Sequence, residues 1–376
     1  MKRIKNLGVY YHGRRVGTLA LYKSTLAAFQ YDKDWIHTGF SISPFSLPLR
    51  DEVFIPKADP FEGLFGVFAD SLPDGWGRLL VDRYLVKNHI NPYETGNLDR
   101  LSIVGETGMG ALTYRPDWSA ADQITEPELD RIADDCRRIL VEEDPSDLDA
   151  LFRLGGSSGG ARPKILTKID GEDWIIKFPS NTDRRDIGLQ EYEYSVCAKA
   201  CGIEMEETRL FPSKYCEGYF GTRRFDVERE GSLRKRVHMV SAAGLLETSH
   251  RIPNLDYDTL MRLTMILTKD YTEIEKLYRR MCFNVYAHNR DDHSKNFSYL
   301  CNEDKNRWIL SPAYDLTYSF SFGGEHATTV NGNGADPDKG DLLAVADNIG
   351  MNHHNASETA DEIRELTEKM LGQYLR

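Results

Sequence analysis

Asn289-Arg290-Asp291-Asp292-His293-Ser294-Lys295-Asn296-Phe297-Ser298, followed by Ser311-Pro312-Ala313-Tyr314-Asp315-Leu316, sets an acid, an amide five residues later and a second acid nineteen beyond that. Phosphoryl transfer from ATP needs this set. One carboxylate orients and deprotonates the attacking hydroxyl, while an Asn and an Asp hold Mg²⁺. Between them, Phe297 to Cys301 reads as a strand, Asn302-Glu303-Asp304-Lys305-Asn306 as a polar turn and Arg307 to Leu310 as the returning strand. Such a hairpin brings Asp315 back beside Asn296, so that two residues distant in sequence share one metal. An ordinary polar loop between helices has a similar composition. The reading therefore depends on whether the rest of a nucleotide site stands upstream.

Upstream, Leu154-Gly155-Gly156-Ser157-Ser158-Gly159-Gly160-Ala161-Arg162-Pro163-Lys164 is a Gly-rich loop leading into a strand, Ile165 to Ile169. Asp170-Gly171 turns the chain, and Asp173-Trp174-Ile175-Ile176-Lys177-Phe178-Pro179 returns. Glycines let backbone N–H groups approach phosphate oxygens with no side chain in the way. The order GxxxxGK[ST] is absent and a strand follows, so this is not a Walker A loop. Lys177 ends an apolar strand one hairpin after the loop, where protein kinases place the lysine that contacts ATP phosphates. A helix from Leu189 to Ala200 follows, and its Glu191 is placed to pair with Lys177. Each of these features alone has a bland explanation: a flexible surface loop, a snorkelling lysine, a surface glutamate. Their order is that of a kinase.

The rest of the chain sets bounds. It has 376 residues, 40% hydrophobic and 28% charged, enough for two domains or two lobes. Residues 1–117 read as a small α+β domain. Strands at Leu7–Tyr11 and Val16–Leu21 flank the turn His12-Gly13-Arg14-Arg15, and Ala28 to Tyr31 with Asp32 to Trp35 read as a strand entering a turn. Helical pieces follow on either side of Pro73-Asp74-Gly75-Trp76-Gly77, then Asn97 to Ile103 ends at the Gly-rich turn from Gly105 to Leu112. Residues 118–150 read as an acidic connector, helical from Glu126 to Glu142. Residues 151–376 read as a second domain, with loop and strands over 151–240 and a mainly helical part over 241–376. Its last helix is expected from Ser357 to Leu375. Hydrophobic runs are too short to span a membrane, and the basic start Met1-Lys2-Arg3 leads into no apolar signal core, so a cytoplasmic protein with no membrane contact is expected. Six scattered cysteines without a CxxC pair suit free thiols in a reducing compartment. A net charge of −12 argues against extensive contact with a nucleic-acid backbone; Arg223-Arg224 and Arg234-Lys235-Arg236 are the local basic candidates.

At this point the residues resemble a known family. Asp291 to Ser298 looks like the DGHxKNFS catalytic motif of HipA-type serine/threonine kinases, the toxin halves of bacterial HipBA toxin–antitoxin pairs. Ser311-Pro312-Ala313-Tyr314-Asp315 is similar to their metal motif, Gly156 to Lys164 to their SxxGAQxK loop, and Trp174 to Pro179 to their IIKxP strand. Asp70 to Gly77 and the Gly105 to Ala111 turn are similar to the N-terminal domain of that family, and His326 to Gly332 with Leu342 to Gly350 to its C-terminal region. The resemblance implies an α+β, protein-kinase-like two-lobed fold, with a small N-terminal α+β domain and a mainly helical C-terminal lobe. It implies ATP and Mg²⁺ as cofactors, Asp291 as catalytic base, and Asn296 and Asp315 as Mg²⁺ ligands. ATP contacts are implied for Lys177, for the loop residues Ser158, Gly159, Gly160, Ala161, Arg162, Pro163 and Lys164, for the hinge Arg223-Arg224-Phe225 through backbone groups, and for His293 and Tyr314. Ser157 aligns with the serine that such kinases autophosphorylate to switch themselves off. The implied partners are a HipB-like helix-turn-helix antitoxin, through which alone DNA is contacted, and a protein substrate in translation such as an aminoacyl-tRNA synthetase.

Four departures from the family pattern stand out. Asp292 replaces a glycine, which leaves Asp291 and Asp292 both open as the base, with the spacing to Asn296 favouring Asp291. Arg162 replaces a glutamine. Arg223 replaces an acidic hinge residue, a change that a backbone contact tolerates. Ser158 beside Ser157 leaves two candidate phosphosites. Two other functions compete with the kinase reading: a non-catalytic scaffold holding an antitoxin dimer on operator DNA, and a phosphotransferase acting on a small molecule. The joint presence of Lys177, Asp291, Asn296 and Asp315 argues against the scaffold.

Overall fold

Leu7, Val9 and Tyr11 are buried and the residues between them are more exposed, the period of two expected of a strand with one covered face. In the computed structural model, residues 3–119, 127–231, 233–303, 307–321 and 323–375 are described. Met1-Lys2, residues 120–126 of the expected connector and residues 304–306 of the expected hairpin turn lie outside them. The chain divides into two compact units. The first comprises Met1–Gly188, Leu210–Val240 and Gly244–Thr248; the second comprises Leu189–Arg209, Ser241–Ala243 and Ser249–Arg376.

In the first unit, β1 (Asn6–Tyr11) turns at His12-Gly13, both at positive φ, into β2 (Arg14–Tyr22). The antiparallel sheet continues through β3 (Leu26–Tyr31) to β4 (Val53–Phe54), and β5 (Leu112–Arg115) pairs with β1 on its other side. Asp32 to Trp35, expected as a strand end and turn, opens α1 (Lys33–Thr38). Asp32 accepts the N–H of Asp34 at 3.1 Å as an N-cap, and Trp35 is buried against the sheet residue Tyr11. Next come α2 (Gly66–Ala69), α3 (Gly75–Lys87) and α4 (Asn97–Val104).

The expected connector contains α5 (Leu129–Leu140), followed by α6 (Leu148–Gly155). Ile132, Cys136 and Ile139 share one face of α5, and this face is not solvated. It packs in one core with Trp76 and Leu80 of α3, Leu151 and Leu154 of α6, and Ile165, Trp174, Ile176 and Tyr219 from the strands that follow. Each such side chain contributes roughly 1.5–3 kcal/mol by leaving water. Those strands are β6 (Lys164–Ile169) and β7 (Glu172–Lys177), joined at Asp170-Gly171. After α7 (Ile187–Ala200) and β8 (Thr208–Phe211), β9 (Tyr219–Arg223) pairs with β7. The hairpin β10 (Val227–Glu230) and β11 (Leu233–Arg236) stands as its own two-stranded sheet, and β12 (His238–Ser241) and α8 (Ala242–Leu246) lead onward.

The second unit is mainly helical. β13 (Leu255–Asp256) opens α9 (Tyr257–Thr268), which is N-capped by Asp256; α10 (Tyr271–Tyr286) follows, N-capped by Asp270. β14 (Ser298–Asn302) and β15 (Arg307–Leu310) pair antiparallel, Tyr299 opposite Leu310 and Asn302 opposite Arg307, forming the expected hairpin. β16 (Thr328–Thr329) lies parallel to β13, then α11 (Lys339–Asn348) and α12 (His353–Leu371) close the chain. α12 starts earlier than the expected Ser357, because Asn352 accepts the N–H of Asn355 at 3.0 Å and caps it. All six cysteines are free. No helix of the described residues is long and apolar enough to cross a membrane.

Candidate active site

α10 ends at Tyr286, and the chain reverses through His288 at positive φ. Asn289 is then fastened back to the helix. Its N–H donates to the carbonyl of Asn284 at 2.9 Å, and its Nδ2 donates to Asn284 Oδ1 at 2.9 Å. Two residues on, the Asp291 side chain is 60% exposed, with His293 Nε2 3.9 Å from its Oδ1. A short 3-10 turn over Ser294–Asn296 folds Asn296 back, and its Nδ2 donates to the Asp291 carbonyl at 2.6 Å. With its nitrogen held there, the amide oxygen of Asn296 is the atom left to ligate a cation.

The β14–β15 hairpin carries the chain back, extended by the Ser311 N–H donating to the Ser298 carbonyl at 2.8 Å. Tyr314 then closes the loop. Its hydroxyl donates to the Lys295 carbonyl at 2.6 Å and, having a single proton, accepts from Ser298 Oγ at 2.6 Å. The residue before Asp315 is thus bonded to the residue before Asn296. Arg280 Nη2 pins the Ser311 carbonyl at 2.7 Å, and the Ala313 N–H donates to the Glu204 carbonyl at 2.7 Å. Asp315 itself sits in the left-handed region at φ 58, a conformation that costs a non-glycine residue of order 1 kcal/mol. The anchored neighbours hold it there.

An amide oxygen and a carboxylate are hard oxygen donors, and Mg²⁺ takes one or two such side chains together with waters and substrate phosphates. Asn296 and Asp315 fit that pattern. They do not amount to a self-sufficient cage: no group of three or more His, Cys, Asp or Glu able to hold a metal occurs among the described residues.

Asp291 and Asp292 are distinguished by their surroundings. The Asp292 side chain is 0% exposed. It accepts from Tyr257 Oη at 2.9 Å, from His326 Nδ1 at 3.0 Å and from the Thr328 N–H at 3.1 Å. Burial, with the Asp292 charge beside it, holds the Tyr257 hydroxyl well above its usual range, so it stays a donor. A carboxylate buried under three donors is poorly placed to take a substrate proton; Asp291 is the exposed one.

In the first unit the Gly-rich loop lies on the start of α3. The Trp76 N–H donates to the Gly160 carbonyl at 3.0 Å, Trp76 Nε1 donates to the Lys164 carbonyl at 3.1 Å, and the Gly160 N–H donates to the Asp74 carboxylate. A Cβ at Gly77 would strike the Ser158 carbonyl oxygen, so only glycine allows this approach. Ser157 Oγ donates to the Thr107 carbonyl at 3.0 Å, whereas Ser158 is buried and donates to the Gly155 carbonyl at 2.6 Å. Gly159 and Ala161 complete the loop. The Pro163 carbonyl accepts the Phe178 N–H at 2.8 Å, and Arg162 pairs with Asp183 at 3.2 Å. Lys164 and Lys177 are directly opposed across β6 and β7, so both side chains leave the same face; the Lys177 ammonium lies 5.6 Å above the Phe220 ring. Glu191 is buried on α7 in the second unit.

The basic clusters turn out differently from their appearance in sequence. Arg224 is buried and bonded to Asp226 at 2.9 and 2.6 Å, and its N–H donates to the Asp173 carbonyl at 2.9 Å. Its side chain and N–H are both engaged, leaving only its carbonyl for a base; Arg223 lies opposite Trp174 on β9, and Phe225 is half-buried in the turn after it. Arg234 is bonded to Asp173 at 2.9 and 3.0 Å, and Arg236 to the carbonyls of Glu106 and Gly108 at 2.7 and 2.5 Å. Arg224, Arg234 and Arg236 are each tied to acceptors elsewhere in the first unit.

The HipA N-terminal domain family matches residues 7–115, and the HipA-like C-terminal domain family matches residues 156–371. The chain belongs to the HipA family. A solved structure of the Shewanella oneidensis MR-1 toxin–antitoxin system, HipA with HipB and operator DNA, is similar at 18% identity, covering 98% of this chain and 91% of that one, with a TM-score of 0.70. This likeness establishes the HipA fold, in keeping with the expected kinase-like α+β class. The Helicobacter pylori proinflammatory kinase CtkA matches 57% of this chain and 88% of its own at 14% identity and a TM-score of 0.36, too low to bear on the fold. No curated protein matches. Tyr257 and Asn284, which reach Asp292 through a chain of hydrogen bonds, carry no local signal in the sequence, and Thr328 falls within the His326 to Gly332 stretch, where the sequence assigns it no role.

Proposed function

We propose that this HipA-family chain is an ATP- and Mg²⁺-dependent protein serine/threonine kinase, the toxin of a toxin–antitoxin pair. The observation that carries the reading is the double fastening of the second unit's loop: Asn296 on the Asp291 carbonyl and Tyr314 on the Lys295 carbonyl. It supports the joint use of an exposed acid, an amide oxygen and a second acid, the set phosphoryl transfer requires.

In this reading Asp291 orients the substrate hydroxyl and takes its proton as the oxygen attacks the γ-phosphorus. The bond to the β–γ bridging oxygen breaks and ADP leaves. Asn296 and Asp315 hold Mg²⁺, which neutralises charge on the phosphates when bound. His293 and Tyr314 contribute further ATP contacts. Lys177, with the loop Ser158 to Lys164, takes the phosphates, Glu191 holds Lys177, and the segment 223–225 meets adenine through backbone groups. Domain boundaries at 117 and 150 belong to the same proposal. Ser157 is the preferred autophosphorylation site, since Ser158 is buried.

The similar Shewanella structure contains HipB and operator DNA. Together with the acidic charge, this supports a HipB-like helix-turn-helix antitoxin as the partner through which DNA is reached. A translation component such as an aminoacyl-tRNA synthetase is the proposed substrate class, on the family resemblance.

Purified chain incubated with ATP labelled at the γ-phosphate is expected to label itself or a lysate protein with Mg²⁺ and not with excess chelator. Ser157→Ala abolishes self-labelling and Ser158→Ala does not. No labelling of any protein by the wild type would overturn the reading in favour of a scaffold; loss of self-labelling only in Ser158→Ala would move the phosphosite.

A further inference from the structure

The phosphotransfer reading makes no use of Asp292, yet the most extensive buried polar chain in the site ends on it. Asn289 Nδ2 donates to Asn284 Oδ1 at 2.9 Å, Asn284 Nδ2 donates to Tyr257 Oη at 2.8 Å, and Tyr257 donates to Asp292 Oδ2 at 2.9 Å. From the other side, His326 Nδ1 donates to the same oxygen at 3.0 Å and the Thr328 N–H donates to Oδ1 at 3.1 Å. Thr328 Oγ1 donates to the Asp292 carbonyl at 2.6 Å, and the Ala327 N–H donates to the Arg290 carbonyl at 3.0 Å. Tyr257, Asn284, Asn289, Asp292, His326 and Thr328 are all buried.

With Asp292 as a carboxylate, one set of directions satisfies the whole chain. An ionised carboxylate only accepts, so the Tyr257 proton points at Asp292 and its oxygen is left to accept from Asn284. The same rule sets the His326 tautomer with its proton on Nδ1. On either side of Asp291, residue 290 is bonded to residue 327, and residue 292 to residues 326 and 328.

We propose that Asp292 is a positioning residue: with His326, Tyr257 and Thr328 it clamps the backbone around Asp291 to residues 326–328 and presents the Asp291 carboxylate in one orientation. The proposal rests on the reading of Asp291 as the base.

The test uses the full chain and the variants Asp292→Asn, His326→Leu and His326→Asn, with two readouts: kcat and KM for ATP in phosphotransfer, and amide hydrogen exchange. Asp292→Asn keeps the shape but turns an acceptor into a donor facing donors. His326→Leu removes the ring donor, and His326→Asn returns an N–H near the Nδ1 position. Asp292→Asn and His326→Leu are expected to lower kcat roughly 10- to 100-fold while KM for ATP moves less than about threefold. Exchange should quicken at residues 288–293 and 326–328 but not along α12. His326→Asn should regain most of kcat. A His326→Leu kcat within about twofold of wild type, or His326→Asn no better than His326→Leu, would overturn the proposal. If the wild type transfers no phosphate, the Asp291 reading fails, and the exchange pattern decides the positioning role alone: unchanged exchange at 288–293 in the variants rejects it. Should Asp292→Asn not fold, His326→Leu, which keeps the carboxylate and its other two donors, carries the same comparison.

Discussion

Asp291 and Asp292 are chemically identical and adjacent, and burial under three donors sets Asp292 apart. The Asp291 side chain is 60% exposed and that of Asp292 is 0% exposed. Asp291→Asn is therefore expected to leave unfolding free energy within about 0.5 kcal/mol, whereas Asp292→Asn costs about 3 kcal/mol, because three buried donors lose or clash with their acceptor. Urea denaturation of the two variants checks this; equal losses would contradict it. The motif spacing to Asn296 already favoured Asp291 in the sequence. No spacing indicates that Tyr257 and His326 converge on Asp292, because that convergence depends on how α9 and residues 326–328 pack. His238 is a second residue whose burial is thermodynamically visible. It is fully buried, its Nε2 donates to the Ile42 carbonyl at 2.8 Å, and burial pushes its pKa down from 6.5 to about 4. Between those values the unfolded chain takes up a proton that the folded chain refuses, so stability falls as pH is lowered through that window, by about 3 kcal/mol in all. His238→Gln should flatten this part of the stability–pH curve; an unchanged slope would show that other groups govern it.

At the scale of elements, the features with local signals were legible in sequence. The β14–β15 hairpin was readable from its apolar runs around a polar turn, and β6–β7 from Asp170-Gly171 between β-branched stretches. The role of α5 was not. The 118–150 segment that contains it is acidic and reads as a connector, but Ile132, Cys136 and Ile139 at helical spacing join the core of α3, α6, β6 and β7. The basic residues of β11 misled for the opposite reason, since their acceptors Asp173, Glu106 and Gly108 are supplied from far along the chain. The contact of α3 with the Gly-rich loop gives a prediction of inverted sign. Gly to Ala in a helix ordinarily stabilises by about 1 kcal/mol, but a Cβ at Gly77 would run into the Ser158 carbonyl, which as backbone cannot swing aside. Gly77→Ala should lower stability by about 1–3 kcal/mol. A higher melting temperature for Gly77→Ala would show that the loop does not rest there.

For the whole molecule, a net charge of −12 and the internal use of Arg224, Arg234 and Arg236 leave little to attract a DNA backbone. The chain alone should fail to shift an operator duplex at roughly physiological salt and should do so only when a HipB-like antitoxin is added. A shift by the chain alone would contradict this. Family membership and the α+β class were legible in several ordered motifs spread over most of the sequence. The substrate was not, because nothing in the motifs encodes the protein that presents the hydroxyl. The proposed mechanism turns on Asp291 as the base, and single-turnover transfer from ATP with Mg²⁺, measured with ATP affinity on the same samples of wild type and Asp291→Asn, decides that role. The expected result is a variant that binds ATP within about threefold of wild type but transfers phosphate roughly 10²- to 10⁴-fold more slowly. Transfer by Asp291→Asn at the wild-type rate would contradict it.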